Sequence, residues 1–140
     1  MPQYSDPIQI NPVDLEPDVA LGVNLPMDAA NGSGLSSTYY TKDQIKANIR
    51  SVLTTMIGER VMQPTFGTRL YQFIFEPVTE DLKQKQIFNE VLRCLNLWIP
   101  GISLISVDCP INVDEKTINV VVKYTIPYYN IEDQINLEVQ

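Results

Sequence analysis

Histidine is missing from the chain, which removes the side chain most often used as a general base and as a metal ligand. Only two cysteines occur, Cys94 and Cys109, too few for a four-thiolate zinc site. Basic residues are scarce: ten Lys and Arg stand against seventeen Asp and Glu, a net charge of −7 at pH 7. Without a cationic face the chain is poorly suited to a phosphate backbone, so no nucleic-acid partner is expected. No apolar run approaches the ~18 residues of a membrane span, and no charged segment precedes an apolar one at the start. Neither a membrane nor an export signal therefore enters the expectation. A glycine-rich phosphate loop is lacking too, and no cofactor or metal is expected. What remains is 140 residues, 44% hydrophobic and 19% charged. That suits one soluble domain with a core, made inside a cell and carrying little catalytic equipment.

Charge and proline divide the chain near residue 41. Residues 1–40 carry Asp6, Asp14, Glu16, Asp18 and Asp28 but no Lys or Arg, together with Pro2, Pro7, Pro12, Pro17 and Pro26. Proline at this density interrupts helices and central strands, so 1–40 reads as an extended acidic arm with a flexible turn at Asn31–Gly34. Its apolar Val19–Leu25 and Tyr39-Tyr40 favour an arm that lies on this domain or on a partner. Residues 41–140 read as the folded domain.

Within it, Thr41-Lys-Asp-Gln44 has the pattern of a capping box. Ile45, Ile49, Val52, Leu53, Met56 and Ile57 follow at helical spacing, predicting a helix over 42–57 stopped by Gly58. Pro64 and Gly67 predict a tight turn with Phe66 pointing inward. Leu70, Phe73, Ile74 and Phe75 suit a short helix ended by Pro77. Thr79 is a candidate N-cap for a longer helix. Its apolar stripe is Leu82, Ile87, Val91, Cys94, Leu95 and Trp98, with Gln86 alongside, and Pro100-Gly101 stops it. The period then switches to two. Ser103, Ile105, Val107, Cys109 and Ile111 share one side of a strand, with Pro110 marking an edge or bulge. Turns at Asp114–Lys116 and Pro127–Asn130 separate it from strands Thr117–Ile126 and Ile131–Val139. The fold class is α+β: two main helices packed on a three-stranded antiparallel meander, with an extended N-terminal arm.

Chemistry finds little foothold. Glu59 and Glu76 flank the structured turn as an acid pair would in a glycosidase, but pairing with Arg60 and Arg69 is the plainer use. Trp98 lies on a helix stripe, where packing is the ordinary role. Cys94 and Cys109 read as buried thiols. Catalytic residues are accordingly expected to be none.

The segment Gly58-Glu59-Arg60-Val-Met-Gln-Pro64-Thr-Phe66-Gly67, followed by Leu70 and by Ile74-Phe75-Glu76-Pro77, resembles the signature of a baseplate wedge family of contractile-tailed phages. The same family supplies a baseplate subunit of type VI secretion systems and of contractile tail-like particles, and older descriptions call it lysozyme-like. The resemblance runs from about Asp18 to Val139. One departure stands out: many members carry Glu-Pro-Arg after the second long helix, where this chain has Trp98-Ile99-Pro100-Gly101.

The resemblance implies a structural subunit that joins wedge subunits and templates the first sheath ring by strand addition. Its expected partners are other wedge subunits, the tail sheath protein and central hub or tube-proximal proteins. Its expected location is the tail baseplate of a virion made in host cytoplasm. The terminal strand is the edge a sheath arm would join, through Ile131, Gln134, Ile135, Asn136, Leu137 and Val139. In the motif, Phe66 and Phe75 are expected to pin the helix crossing, with Arg60 reaching Glu76. Two other classes compete: a peptidoglycan-degrading lysozyme-like enzyme of the tail, and an interaction domain of a cellular adaptor.

Overall fold

A computed structural model describes residues 11–16, 18–25, 27, 35–77, 79–112, 117–127 and 129–139. The chain divides into two compact units, residues 1–48 and residues 49–140, so the division falls eight residues past the boundary expected from charge. The turns expected at Asn31–Gly34 and Asp114–Lys116 lie outside the described residues.

In the first unit the arm is not simply extended. A 3-10 turn spans Pro12–Leu15, and β1 (Gly22–Val23) pairs antiparallel with β2 (Ser37–Thr38). The turn exists because Asn11 and Asp14 cap it reciprocally: Val13 N–H donates to Asn11 Oδ1 and Asn11 N–H donates to Asp14 Oδ2. The other oxygen of Asp14 serves the first long helix, α1 (Thr41–Thr54). Both Thr41 N–H and the Thr41 hydroxyl donate to Asp14 Oδ1 at 2.8 Å. The capping box expected within Thr41–Gln44 therefore does not form. The Thr41 hydroxyl donates instead of accepting, and a carboxylate 27 residues upstream supplies the negative end that a helix N-terminus favours. Gln44 is engaged elsewhere. Its Oε1 accepts from the Thr38 hydroxyl and its Nε2 donates to Asn48 Oδ1. A Cβ on Gly22 would run into the end of that Gln44 side chain, which would have to shift aside.

The second unit holds the core. Helix α1 ends at Thr54, three residues before the periodicity suggested. The Thr54 and Thr55 hydroxyls donate back to the carbonyls of Arg50 and Ser51. The chain then leaves the helix for a single parallel bridge between Met56 and Thr68. Met56 is consequently exposed, whereas Ile49, Val52 and Leu53 are buried. The short helix α2 (Leu70–Phe75) follows, then α3 (Glu80–Trp98). Thr79 sits at the N-cap but its side chain makes no capping bond. Its carbonyl accepts from Leu82 and Lys83 N–H instead. Helix α3 buries Ile87, Val91, Cys94 and Leu95, while Leu82 at its start is exposed.

Helix α3 packs against β3 (Ser103–Asp108). The remaining strands are β4 (Ile111–Asn112), β5 (Thr117–Ile126) and β6 (Ile131–Val139). Strand β5 is central. It pairs antiparallel with β3 and β4 on one side and with β6 on the other, Ile118 opposite Val139 through Ile126 opposite Ile131. The expected first strand is thus split at Cys109-Pro110, because proline has no N–H to give the ladder. The register also shifts between Leu104 and Ser106. That bulge leaves Ile105 exposed and puts Leu104 opposite Tyr124 and Val107 opposite Val122. The alternation Ser103–Ile105–Val107 expected from sequence is broken at that point. Along β5 and β6 the alternation holds: Val120, Val122, Tyr124, Ile126, Ile131, Ile135 and Leu137 are buried. Asn130, at φ 50°, turns the chain between the two strands.

Asp14→Ala should weaken the start of α1 by about 1–2 kcal/mol, the usual cost of a lost helix cap. Urea denaturation followed by helical circular dichroism measures it.

Candidate functional site

Two features form the candidate site, and both lie in the second unit: the turn after α1 and the outer edge of β6. The turn is built by accounting for its backbone groups. Gly58 N–H donates to Pro64 O (2.8 Å), Glu59 N–H to Met56 O (3.1 Å) and Phe66 N–H to Gln63 O (3.1 Å). Glu59 closes the same loop by accepting Met56 N–H on its carboxylate at 2.9 Å. Gly58 and Gly67 both take positive φ, +92° and +114°. At Gly67 a Cβ would also strike the carbonyl of Thr55.

Past Gly67 the chain is fixed between α1 and α3. Thr68 N–H donates to Thr55 O and Ile57 N–H donates to Thr68 O. The Thr68 hydroxyl, fully buried, donates to Leu53 O. Gly67 O accepts the Cys94 thiol at 3.3 Å. Arg69 N–H donates to Glu90 Oε1 at 3.0 Å. Arg93 holds the same carboxylate through Nε (3.0 Å) and a terminal nitrogen (2.6 Å). Burial raises the Glu90 pKa, but the Arg93 hydrogen bonds, the Arg69 amide and the nearby positive charges together outweigh it. The carboxyl is held below its ordinary value. Burial likewise pushes the Cys94 thiol up to about 12, so it stays protonated and is no nucleophile.

Phe66 is buried, as expected. Its ring meets Trp98 edge-on, with centroids 4.9 Å apart and planes at 62°. Arg60 does not reach Glu76: its guanidinium lies 3.7 Å from the Phe66 ring centre and donates to Ser51 Oγ. Glu76 instead ends α2 as its C-cap residue. Leu70 is buried; the Phe75 side chain lies outside the described residues. Of the expected acid pair, Glu59 accepts the Met56 amide and Glu76 follows α2 in extended conformation. A groove of about 570 Å³ is lined by Asp81, Gln84, Lys85, Phe88, Asn89 and Val107. Among the described residues no cluster of His, Cys, Asp and Glu could hold a metal ion, and no helix is long and apolar enough to cross a membrane.

Glu90, Arg93 and Thr68 are the functional-site residues that sequence reasoning missed. Glu90 had a visible signal. It stands on the apolar stripe between Ile87 and Val91, three residues before an arginine, where a carboxylate must find partners.

At the sheet edge, the side chains of Ile131, Ile135 and Leu137 are buried and cannot meet a partner, whereas Gln134 and Asn136 are exposed. The Val139 side chain is outside the described residues. Gln134 N–H donates to the Asp133 carboxylate (2.8 Å), which points it off the β5 ladder. In an antiparallel strand N–H groups alternate in direction, so the amides of Glu132, Gln134, Asn136 and Glu138 face away from β5.

Phe66→Ala should cost about 3–5 kcal/mol in a denaturant titration. Because the folded Glu90 pKa is depressed, its contribution is complete above the unfolded value of about 4.3 and lost as pH falls through the folded value. Glu90→Gln should therefore lower stability at neutral pH and flatten the acid limb of a stability-against-pH curve below about pH 4.

Three comparisons with known proteins bear on this geometry. A family profile described as baseplate wedge protein gp25 matches residues 40–130. A Geobacter sulfurreducens protein described as a candidate tail lysozyme is 30% identical, with a TM-score of 0.64 over 73% of this chain and 92% of that one. A chain of the anti-feeding prophage baseplate is 20% identical, with a TM-score of 0.53 over 82% of this chain and 80% of its own, a likeness of fold. A chain of the post-contraction pyocin R2 baseplate is 27% identical at a TM-score of 0.46, over 69% and 81% respectively. Comparison with curated protein sequences finds no match. The chain belongs to the baseplate wedge protein gp25 family and is a baseplate wedge-type structural protein.

Proposed function

We propose that this chain joins wedge subunits in a contractile-tail baseplate and templates the first sheath ring by strand addition at β6. The observation that carries this reading is the edge itself. Strand β6 is nine residues long, pairs with β5 alone among the described residues, and turns a row of amides outward. An extended arm of another protein can complete such a row. The partners would be sheath protein at this edge and wedge or hub proteins elsewhere, in the tail baseplate of a virion assembled in the host cytoplasm.

The role is structural and not catalytic. Glu59 is committed to a backbone amide, and Cys94 is a buried, protonated thiol. Of the acid pair that a lysozyme reading would use, Glu59 is already bonded to the Met56 amide.

Removing residues 131–140 would be a poor test, because Ile131, Ile135 and Leu137 belong to the core. Asn136→Pro is cleaner. It deletes one outward N–H while leaving the inward ladder to β5 its donors. We expect a melting temperature lowered by only a few degrees, normal incorporation into baseplates and loss of sheath nucleation. Sheathed tails of normal length would overturn the proposal.

A further inference from the structure

The tip of the Gly58–Gly67 turn carries two large apolar side chains in nearly full contact with water, Val61 at 94% and Met62 at 92% exposure. Single exposed apolar residues are common. Two adjacent ones on a closed loop are different, because the loop has no freedom to fold them away. Its ends are tied by Gly58 N–H to Pro64 O, by Met56 N–H to Glu59, and by Arg60 stacked on the buried Phe66. A peg held in one shape loses little conformational entropy on docking.

The surroundings state the chemistry of the socket. The chain has only four arginines, Arg50, Arg60, Arg69 and Arg93, and all lie on the segments joined at this turn, in a molecule of net charge −7. Arg93 is neutralised by Glu90 and the Glu59 carboxylate faces Met56 N–H. Arg60, adjoining Val61 in the chain, is exposed. Methionine and arginine are the residue types enriched where protein surfaces meet.

We infer that Val61 and Met62 form an insertion peg for a second protein, whose apolar pocket is rimmed by carboxylates that meet Arg60. A second copy of this chain is disfavoured, since two bodies of charge −7 repel. The inference rests on the reading of the chain as a baseplate subunit, and it concerns a surface other than the β6 edge.

Hydrogen peroxide footprinting of Met62 tests it, in the free full-length chain and in assembled baseplates. Met62 should oxidise at least tenfold more slowly in the assembly. A photo-crosslinker at position 61 should capture a different protein within an apolar pocket bordered by Asp or Glu. The double variant Val61→Ser, Met62→Ser should melt like the parent yet enter baseplates at least tenfold less. Equal oxidation rates, capture of another copy of this chain, a pocket without carboxylates, or normal entry of the variant would each overturn the inference. Absence of the parent chain from purified baseplates would overturn the baseplate reading along with it. Loss of sheath alone in Asn136→Pro particles touches neither peg nor socket.

Discussion

A single buried carboxylate, Glu90, organises the second unit. It stands on the inner face of α3 and accepts the Arg69 amide while Arg93 grips it from one helical turn onward. Without it, the Arg69 N–H would be left without its acceptor, a loss of about 1–3 kcal/mol where the group is buried, and the half-exposed Arg93 would exchange its counter-charge for water. The neighbouring Thr68 groups are bonded to the end of α1. Three consecutive residues, Gly67 to Arg69, therefore fasten α1 to α3. The turn they close is a fixed object, and the Arg60–Phe66–Trp98 stack lies against it.

This fastening explains why the motif contains what it does. Gly67 is required because the strap passes so near Thr55 that no side chain fits, at a φ that other residues rarely adopt. Phe66 is required as the apolar mass that fills the corner beside Trp98. Arg60 covers the exposed face of that ring, which is why an ion pair with Glu76 is not its use. The residues serve packing and shape, and the shape in turn holds the loop tip out in solvent.

Periodicity made the long elements legible: α3, β5 and β6 appear where the 3.6-residue and two-residue patterns put them. Contacts distant in sequence were not legible. Nothing local in Thr41–Gln44 reveals that Asp14 has already taken the Thr41 hydroxyl. Nothing in Ser103–Asp108 reveals that β3 gains a residue relative to β5, since a bulge is set by the partner strand. Helix α1 lost its last predicted turn for the same reason, as Thr68 competes for the backbone of Thr55 and Ile57. At the candidate site, the motif spacing located the turn and Phe66 but assigned Arg60 the wrong partner. Glu90 interrupts the apolar stripe of α3, but helical spacing alone does not show that an amide 21 residues upstream satisfies it.

Strand β6 must be a core member and an open edge at once, and its alternation lets it do both. Odd-numbered residues from Ile131 to Leu137 face inward, while the amides of the even-numbered ones face out. An outward row of amides of this length invites self-association. Glu132 and Glu138 oppose it by charge, since a second β6 brought alongside would set carboxylates against carboxylates. Asp133 opposes it more directly, because its side chain already occupies the Gln134 amide at the middle of the edge. A strand from another protein must displace that carboxylate and replace its bond. Charge and the Asp133–Gln134 bond thus both work against pairing of this edge with a copy of itself.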